Sequence, residues 1–413
     1  MKLQDKLAAK FSPSACSVTR PMKILAISYD VPRPDQSSGE LRFFSLLSLL
    51  AREHELVFHV TAENANSVRD SAIEALERQG VQVKRGALSY QLRQDRYDII
   101  FFEFYFVAEA AIDLARAWQP NAKIIVDSVD VHFHRLRSKA RLTGQTSDHQ
   151  EAEEIRRREL LVYERADLVL TVSDADRQIL KIEGLTSETA VIPNIHIMHE
   201  LQERRPSERL ELIFIGSYKW EPNVDAMIYF CSEVVPLLQK EVSNFRLRIV
   251  GSSPTAQIKA LQGPNVDVVG YVESTTPYLL SSDISIAPLR YGGGIKGKIG
   301  EAMAHGLPVV TTDTGAEGFG LIDGHDAMIA NSPHEFVQGI VELWRDPEKF
   351  ERVRSNGRQL MSRRLSVEAV WPMLNEALEL TQRSAPKRLS VVFRARQIVP
   401  HLFERYVSWR FRK

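Results

Sequence analysis

The stretch Pro288–Val310, PLRYGGGIKGKIGEAMAHGLPVV, decides how the chain is read. It follows Ile284–Ala287, an apolar run of strand length, and it runs into a second such run, Val309–Thr312. Between them the triplet Gly292–Gly294 lets backbone approach a ligand with no Cβ in the way. Ala302, Met303 and Ala304 are good helix formers, and Gly306-Leu307-Pro308 stops that helix and starts the next strand. The order is therefore strand, glycine loop, helix, strand. The helix turns its free N–H groups and the positive end of its dipole back toward the loop, a ready site for an anion. Lys296 and Lys298 add positive charge beside it, and Glu301, in the first turns of the helix, can accept hydrogen bonds from a sugar diol.

The same alternation runs through the rest of the chain. Short apolar runs at Met22–Tyr29, Val57–Thr61, Asp98–Phe102, Lys123–Asp127, Asp167–Val172 and Ala190–Ile192 read as strands, with helices predicted from Glu40 to about Arg52 and over Ser67–Gln79. A polar stretch with Pro206, from about His199 to Arg209, reads as a linker. Beyond it come strands at Leu212–Ile215, Arg246–Val250, Val266–Val269, Ile284–Ala287, Val309–Thr312 and Ala327–Ala330, and a helix over Asn223–Lys240. Strands alternating with helices imply parallel sheets covered on both faces. The expected fold class is α/β, with two facing Rossmann-like domains and an interdomain cleft, where ligands collect outside the carboxyl ends of the strands. The divisions are a leader at 1–21, a first domain at 22–200, a linker at 201–209, a second domain at 210–382 and a basic amphipathic tail at 383–413.

The segment from Glu301 to Val310, E-A-M-A-H-G-L-P-V-V, resembles the retaining GT-B glycosyltransferases of the family 4 type, whose members carry E-x7-E-A-M-A-x-G-x-P-V-V. The resemblance extends loosely over 22–383. It implies that Glu301 holds the ribose hydroxyls of a nucleoside diphosphate sugar. The first acid of the pattern, which helps seat the donor sugar in the family, falls at position 293, and this chain has Gly293 there. Loop amides and Lys298 are the expected substitutes. Gly216, opening Gly-Ser-Tyr-Lys, corresponds to the family's glycine under the diphosphate. Lys219 is then a candidate partner for the departing diphosphate, since a leaving group of that charge calls for fixed cations; it also reads as a solvated loop lysine. Tyr271, in Gly270-Tyr271-Val272-Glu273, stands where relatives contact the nucleobase through backbone groups, and it equally reads as an ordinary loop-edge aromatic. The donor-binding set is thus Gly216, Lys219, Tyr271, Gly292, Gly293, Gly294, Lys298 and Glu301.

In the first domain the resemblance brings Gly39, in Ser38-Gly39-Glu40, near the transferred sugar and the acceptor, with Ser173 and Asn194 lining the cleft. Asp127, Asp130, His132 and His134 lie just past a strand's carboxyl end. Such residues can ligate a metal, but relatives typically need none and no second ligand cluster is visible, so no metal and no cofactor beyond the donor substrate is expected. His132 contacts the transferred sugar, clamps it, or caps a helix. Catalysis is assigned to His132 and Lys298, and the acceptor side to Gly39, Asp130 and Ser173.

Composition narrows the partners. Lys plus Arg and Asp plus Glu each number 53 in 413 residues, so net charge gives no reason to expect nucleic acid. Two unlike cysteines, Cys16 and Cys231, fit a reducing, cytoplasmic setting. The first residues lack the apolar core of a signal peptide, and no run reaches the roughly 18–20 apolar residues of a spanning helix. The tail is unlike the rest: nine basic residues from Arg383 to Lys413 face only Glu404 and alternate with aliphatics and aromatics. That pattern fits an anionic membrane surface, or a helix packed back on the first domain. The implied function is transfer of a sugar from a nucleoside diphosphate sugar to a glycan or lipid-linked glycan in cell-surface polysaccharide synthesis. The alternatives are a nucleotide-sugar-binding partner subunit without turnover, or a same-fold sugar epimerase.

Overall fold

The structure is a computed structural model that describes residues 20–34, 37–61, 70–201, 208–292, 295–383 and 385–406, excepting the side chains of residue 70 and residues 400–406. Residues 1–19 of the leader expected at 1–21, most of the linker, Gly293, Gly294 and the end of the tail lie outside the described residues.

Two parallel sheets carry the fold. The first holds β1 (Lys23–Ser28), β2 (Glu55–Val60), β3 (Gln82–Lys84), β4 (Ile99–Glu103), β5 (Lys123–Asp127), β6 (Leu168–Thr171) and β7 (Glu188–Val191) in the order β3-β2-β1-β4-β5-β6-β7. The second holds β8 (Leu210–Ile215), β9 (Phe245–Val250), β10 (Val266–Gly270), β11 (Ile284–Ala287), β12 (Val309–Thr311) and β13 (Met328–Ile329) in the order β10-β9-β8-β11-β12-β13. All pairings between them are parallel. The doubly wound α/β class expected from the sequence is what is found. The central strands bury both faces. Ile24 and Ala26 enter one core cluster and Leu25 and Ile27 another; in β8, Leu212 and Phe214 face one side and Ile213 the other. That two-sided burial is why central strands read as unbroken apolar runs.

Each sheet reverses its order at one point, between β1 and β4 in the first and between β8 and β11 in the second. Crevices at such points are where ligands bind in open α/β sheets. The loops leaving β8 (from Gly216) and β11 (Pro288–Lys296) flank the second reversal, so the fold itself brings together two motifs about 75 residues apart.

Three features differ from the sequence expectation. Strand β3 is a short edge, QVK, with exposed ends and no apolar run. The helix expected over Asn223–Lys240 is two helices, Glu221–Tyr229 and Val235–Glu241, joined by a π-turn at Phe230–Val234. Pro236 sits in the first turn of the second helix, where its missing N–H is tolerated. Finally, the helix Val367–Arg383 crosses back, placing Val370, Leu374, Ala377 and Leu378 in the core of the first sheet.

Candidate functional site

The donor-side groups are built on the helix Gly297–Ala304, which follows the β11 loop. Lys296 is its N-cap and makes no side-chain cap, which leaves N–H groups of the first turn without a side-chain partner. A Cβ at Gly297 would lie 2.0 Å from the Ser38 Cβ, so only glycine lets the two domains meet here. Lys298 and Glu301 are three residues apart and share a helix face.

Lys298 points under the β8 loop. Its Nζ donates to Asn223 Oδ1 and lies 4.6 Å from the centroid of the Phe214 ring. Asn223 is fixed in turn by donating from Nδ2 to the Ser217 carbonyl at 2.8 Å. Gly216 closes the same corner. A Cβ at Gly251 would fall 1.8 Å from the Gly216 carbonyl oxygen, which shows how closely the β8 and β9 loops cross. Burial, and then the neighbouring Lys296, lower the Lys298 pKa to about 7. Asn223, which the sequence marks only as a helix start, positions the lysine.

Glu301 accepts a hydrogen bond from the Thr275 hydroxyl, and burial raises its pKa. A half-buried carboxylate with one donor gains from further hydroxyl donors. Tyr271, 49% exposed, follows β10 at the rim, close in sequence to Thr275. Lys219 stands exposed on the loop after Gly216. Gly292 is buried, with its hydrogen in the direction of the Lys296 Cε; a Cβ there would lie 3.6 Å from that carbon.

The first domain covers these groups. Arg135 lies over the Trp220 ring at 4.4 Å, and Lys139 pairs with Glu221 at 2.9 Å. Asn194 donates to the Ile295 carbonyl at 3.0 Å. His134 Nε2 lies 3.4 Å from Glu317 Oε1, and Glu317 Oε2 accepts from Lys296 at 2.9 Å. Gly39 follows Ser38 at the start of the helix Ser38–Glu53.

His132 opens the helix His132–Thr143. Its Nδ1 is 2.9 Å from Asp130 Oδ1 and 3.5 Å from Glu159 Oε1. The buried Glu159 also takes the backbone N–H groups of His132 and Phe133, at 3.1 and 2.8 Å, and so caps the helix. Rings of Phe104, Tyr105 and Phe106 surround the imidazole. Burial would lower its pKa, but Asp130, by charge and hydrogen bond, and then Glu159 push it up to about 10. His132 is therefore a fixed cation at neutral pH, able to donate and unable to act as a base. Two non-glycine residues with positive φ flank it, Phe104 (69°) and Val129 (60°). Such strain at loop ends beside a cleft is a mark of a built site.

Two sequence candidates are held by other partners. Asp127 is wholly buried and forms a two-pronged pair with Arg42, which also donates to the Ile192 carbonyl. It is a structural anchor that does not gather with His132 and His134 into a ligand set; among the described residues no group of three His, Cys, Asp or Glu is placed to hold a metal. Ser173 caps the helix Asp174–Ile182 and donates to Asp176 Oδ2 at 2.7 Å. It lines a cavity of about 460 Å³ with Arg177, Ile295, Phe319, Met361 and Arg383.

The tail divides. Lys387 donates to Asp167, to the Glu164 carbonyl and to Ser187, and Arg394 donates to the Ala117 carbonyl, so these two cations hold the tail against the first domain instead of facing outward. On the helix Val391–Tyr406, Val391 and Val392 remain 84% and 70% exposed. Among the described residues no helix is long and apolar enough to cross a membrane.

One consequence can be measured. A diphosphate held at this site would bind the protonated form of Lys298. With that pKa at about 7, binding above pH 7 must take up a proton, and affinity falls by up to about tenfold per pH unit. Isothermal titration at pH 8.5, in buffers of different ionisation heat, is expected to show uptake approaching one proton. Lys298→Met is expected to abolish it; equal heats in all buffers for the parent protein contradict the assignment.

Residues 209–346 match the family model described as Glycosyl transferases group 1. A curated relative, an uncharacterized 44.6 kDa protein in the cps region of Klebsiella pneumoniae, is 24% identical over 173 residues. That match takes in 40% of this chain and 45% of the relative, so it spans under half of the relative's length. Among solved structures, sucrose-phosphate synthase from Thermosynechococcus elongatus superposes with a TM-score of 0.67 at 15% identity, over 88% of this chain and 100% of that one. HepE from Anabaena, in complex with UDP and glucose, gives 0.64 at 16%, over 87% and 99%. TarM from S. aureus gives 0.58 at 17%, over 72% and 57%. At such identities these likenesses establish the fold, which is GT-B.

Proposed function

We propose, from a chain that carries a glycosyl transferases group 1 domain at 209–346 inside a GT-B fold, that it moves a sugar from a nucleoside diphosphate sugar to a glycan or lipid-linked glycan, with retention at the anomeric carbon. The observation that carries this reading is the pairing of Lys298 and Glu301 on one face of an uncapped helix start, at the point where the second sheet reverses. A cation and open N–H groups suit the diphosphate, and a buried acceptor suits a diol. As the glycosidic bond breaks, negative charge builds on the leaving diphosphate, and Lys298 with the helix start stabilises it. His132, a fixed cation on the opposite domain, donates to the sugar or the leaving group, and closure of the domains keeps water out. Retention rests on the family resemblance. A role in cell-surface polysaccharide synthesis is supported by the relative from a cps region.

Incubation of the purified protein with UDP-, GDP-, ADP- and dTDP-sugars, with and without lipid-linked acceptors, is expected to release nucleoside diphosphate with one of them. Donor binding with no release under any condition favours the second reading, a partner subunit without turnover, for which Gly293 in place of an acid is the supporting observation. An isomerised nucleotide sugar formed without acceptor marks the epimerase alternative.

The acceptor reading extends to the membrane. Exposed Val391 and Val392 beside exposed Arg388 and Arg396 suit an anionic lipid surface. The protein is expected to sediment with anionic vesicles and not with neutral ones, and V391D/V392D to lose at least half of that binding. Unaltered sedimentation leaves the helix a purely structural one.

A further inference from the structure

We propose that Glu317 is the carboxylate that seats the transferred sugar of the donor, in place of the acid missing at position 293. The inference rests on the donor-site reading above and adds the sugar-contacting group to it.

A sugar presents a row of hydroxyls, and an ionised carboxylate flanked by cationic donors is suited to hold neighbouring hydroxyls in one orientation. Lys298 is already engaged by Asn223, and Glu301 by Thr275 further along the helix. Glu317 follows the short helix Asp313–Ala316 after β12, the strand next to β11, so topology sends it back to the β11 loop. Its Oε2 accepts from Lys296 Nζ at 2.9 Å, and the Lys296 Cε is 3.6 Å from the point where a Gly292 Cβ would be. The carboxylate thus reaches the neighbourhood of the glycine loop, where the family pattern has its first acid. Its other oxygen faces His134 of the first domain at 3.4 Å. The side chain keeps 28% exposure, while Lys296 keeps 6%. Burial would raise the Glu317 pKa, but the His134 hydrogen bond and the Lys296 charge bring it down to about 2, so it is an anion in all ordinary conditions. An anion between the Lys296 ammonium and the His134 imidazole, one from each domain, has lone pairs left for hydroxyls.

The competing explanation is that Glu317 is only the counter-ion of the buried Lys296. The two differ in what they predict for ligands that share the nucleotide and differ in the sugar. UDP, GDP and ADP are compared with UDP-glucose, GDP-mannose and ADP-glucose by titration and turnover, in the parent, Glu317→Gln, Glu317→Asp, and Glu317→Gln combined with Gly293→Glu. Loss of charged hydrogen bonds to the sugar is expected to weaken the bound nucleotide sugar, in affinity and kcat/KM, by about ten- to a hundredfold. The affinity for the matching nucleoside diphosphate is expected to change by less than about twofold, since it makes no such bonds. Glu317→Asp is expected to show a smaller loss of the same kind, and Gly293→Glu to restore part of the loss in the Gln background. Equal weakening of nucleotide and nucleotide sugar, or no weakening of either, overturns the assignment of Glu317 alone. A parent protein that binds none of the six removes the donor-site reading, and this assignment with it.

Discussion

Glu301→Ala is expected to weaken nucleoside diphosphate binding by about 100-fold or more and to leave the folded structure intact. Two hydrogen bonds from a ribose diol to an ionised carboxylate are worth about 1.5–3 kcal/mol each before the cost of desolvation, and the Glu301 carboxylate is already desolvated in the free protein, as its raised pKa records. The protein therefore bears the burial cost before the ligand arrives, and binding recovers it. For the same reason removal of the carboxylate costs the fold little: one hydrogen bond from Thr275 is lost and an uncomfortable acid disappears. Titration of UDP, GDP and ADP into both proteins, with thermal unfolding alongside, checks both halves. Unchanged nucleotide affinity in the variant would falsify the placement of the ribose at Glu301.

Arg42→Met is expected to produce the largest loss of stability of any single change considered. The Arg42–Asp127 pair has side-chain exposures of 1% and 0%, and Arg42 also donates to the carbonyl of Ile192 from the helix Ser38–Glu53. Removing one partner leaves a buried carboxylate with no counter-ion, which costs about 3–5 kcal/mol. That is a large part of the stability of a typical domain. The urea midpoint of the first domain is expected to fall by about 1–2 M. A double variant, Arg42→Met with Asp127→Leu, is expected to recover most of it, because an apolar pair of similar volume has no charge to desolvate. If the single variant unfolds at the parental midpoint, the pair is not the anchor described.

How much of this the sequence discloses depends on the range of the interaction. Strands β5 and β11 fall on the expected boundaries, Lys123–Asp127 and Ile284–Ala287, because parallel strands buried on both faces are apolar throughout. Strand β3 is missed because its three residues lie at an exposed edge and owe their conformation to β2 alone. The glycine loop, Lys298 and Glu301 are legible because their spacing along one helix carries the meaning. What joins them to the rest is not. Asn223 meets Lys298 across 75 residues, and Thr275 meets Glu301 across 26. Asp127 has the look of a ligand in sequence, and only the arrival of Arg42 from 85 residues away makes it an anchor. His132 illustrates the same point in charge: nothing local in the sequence says that Glu159 returns to it and fixes it as a cation. The return of the helix Val367–Arg383 to the first sheet is equally hidden, since an amphipathic pattern declares an apolar face without naming what covers it.

The central claim is that the donor lies against the β8 and β11 loops and the start of the helix Gly297–Ala304, and not in the cavity lined by Arg177, Met361 and Arg383. Amide hydrogen exchange of the intact protein, with and without a saturating nucleoside diphosphate sugar, tests it most directly. The account predicts slower exchange over 213–220, 270–276 and 295–305, with little change over 361–383. Protection confined to 172–177 and 361–383, with 295–305 unaffected, would contradict it.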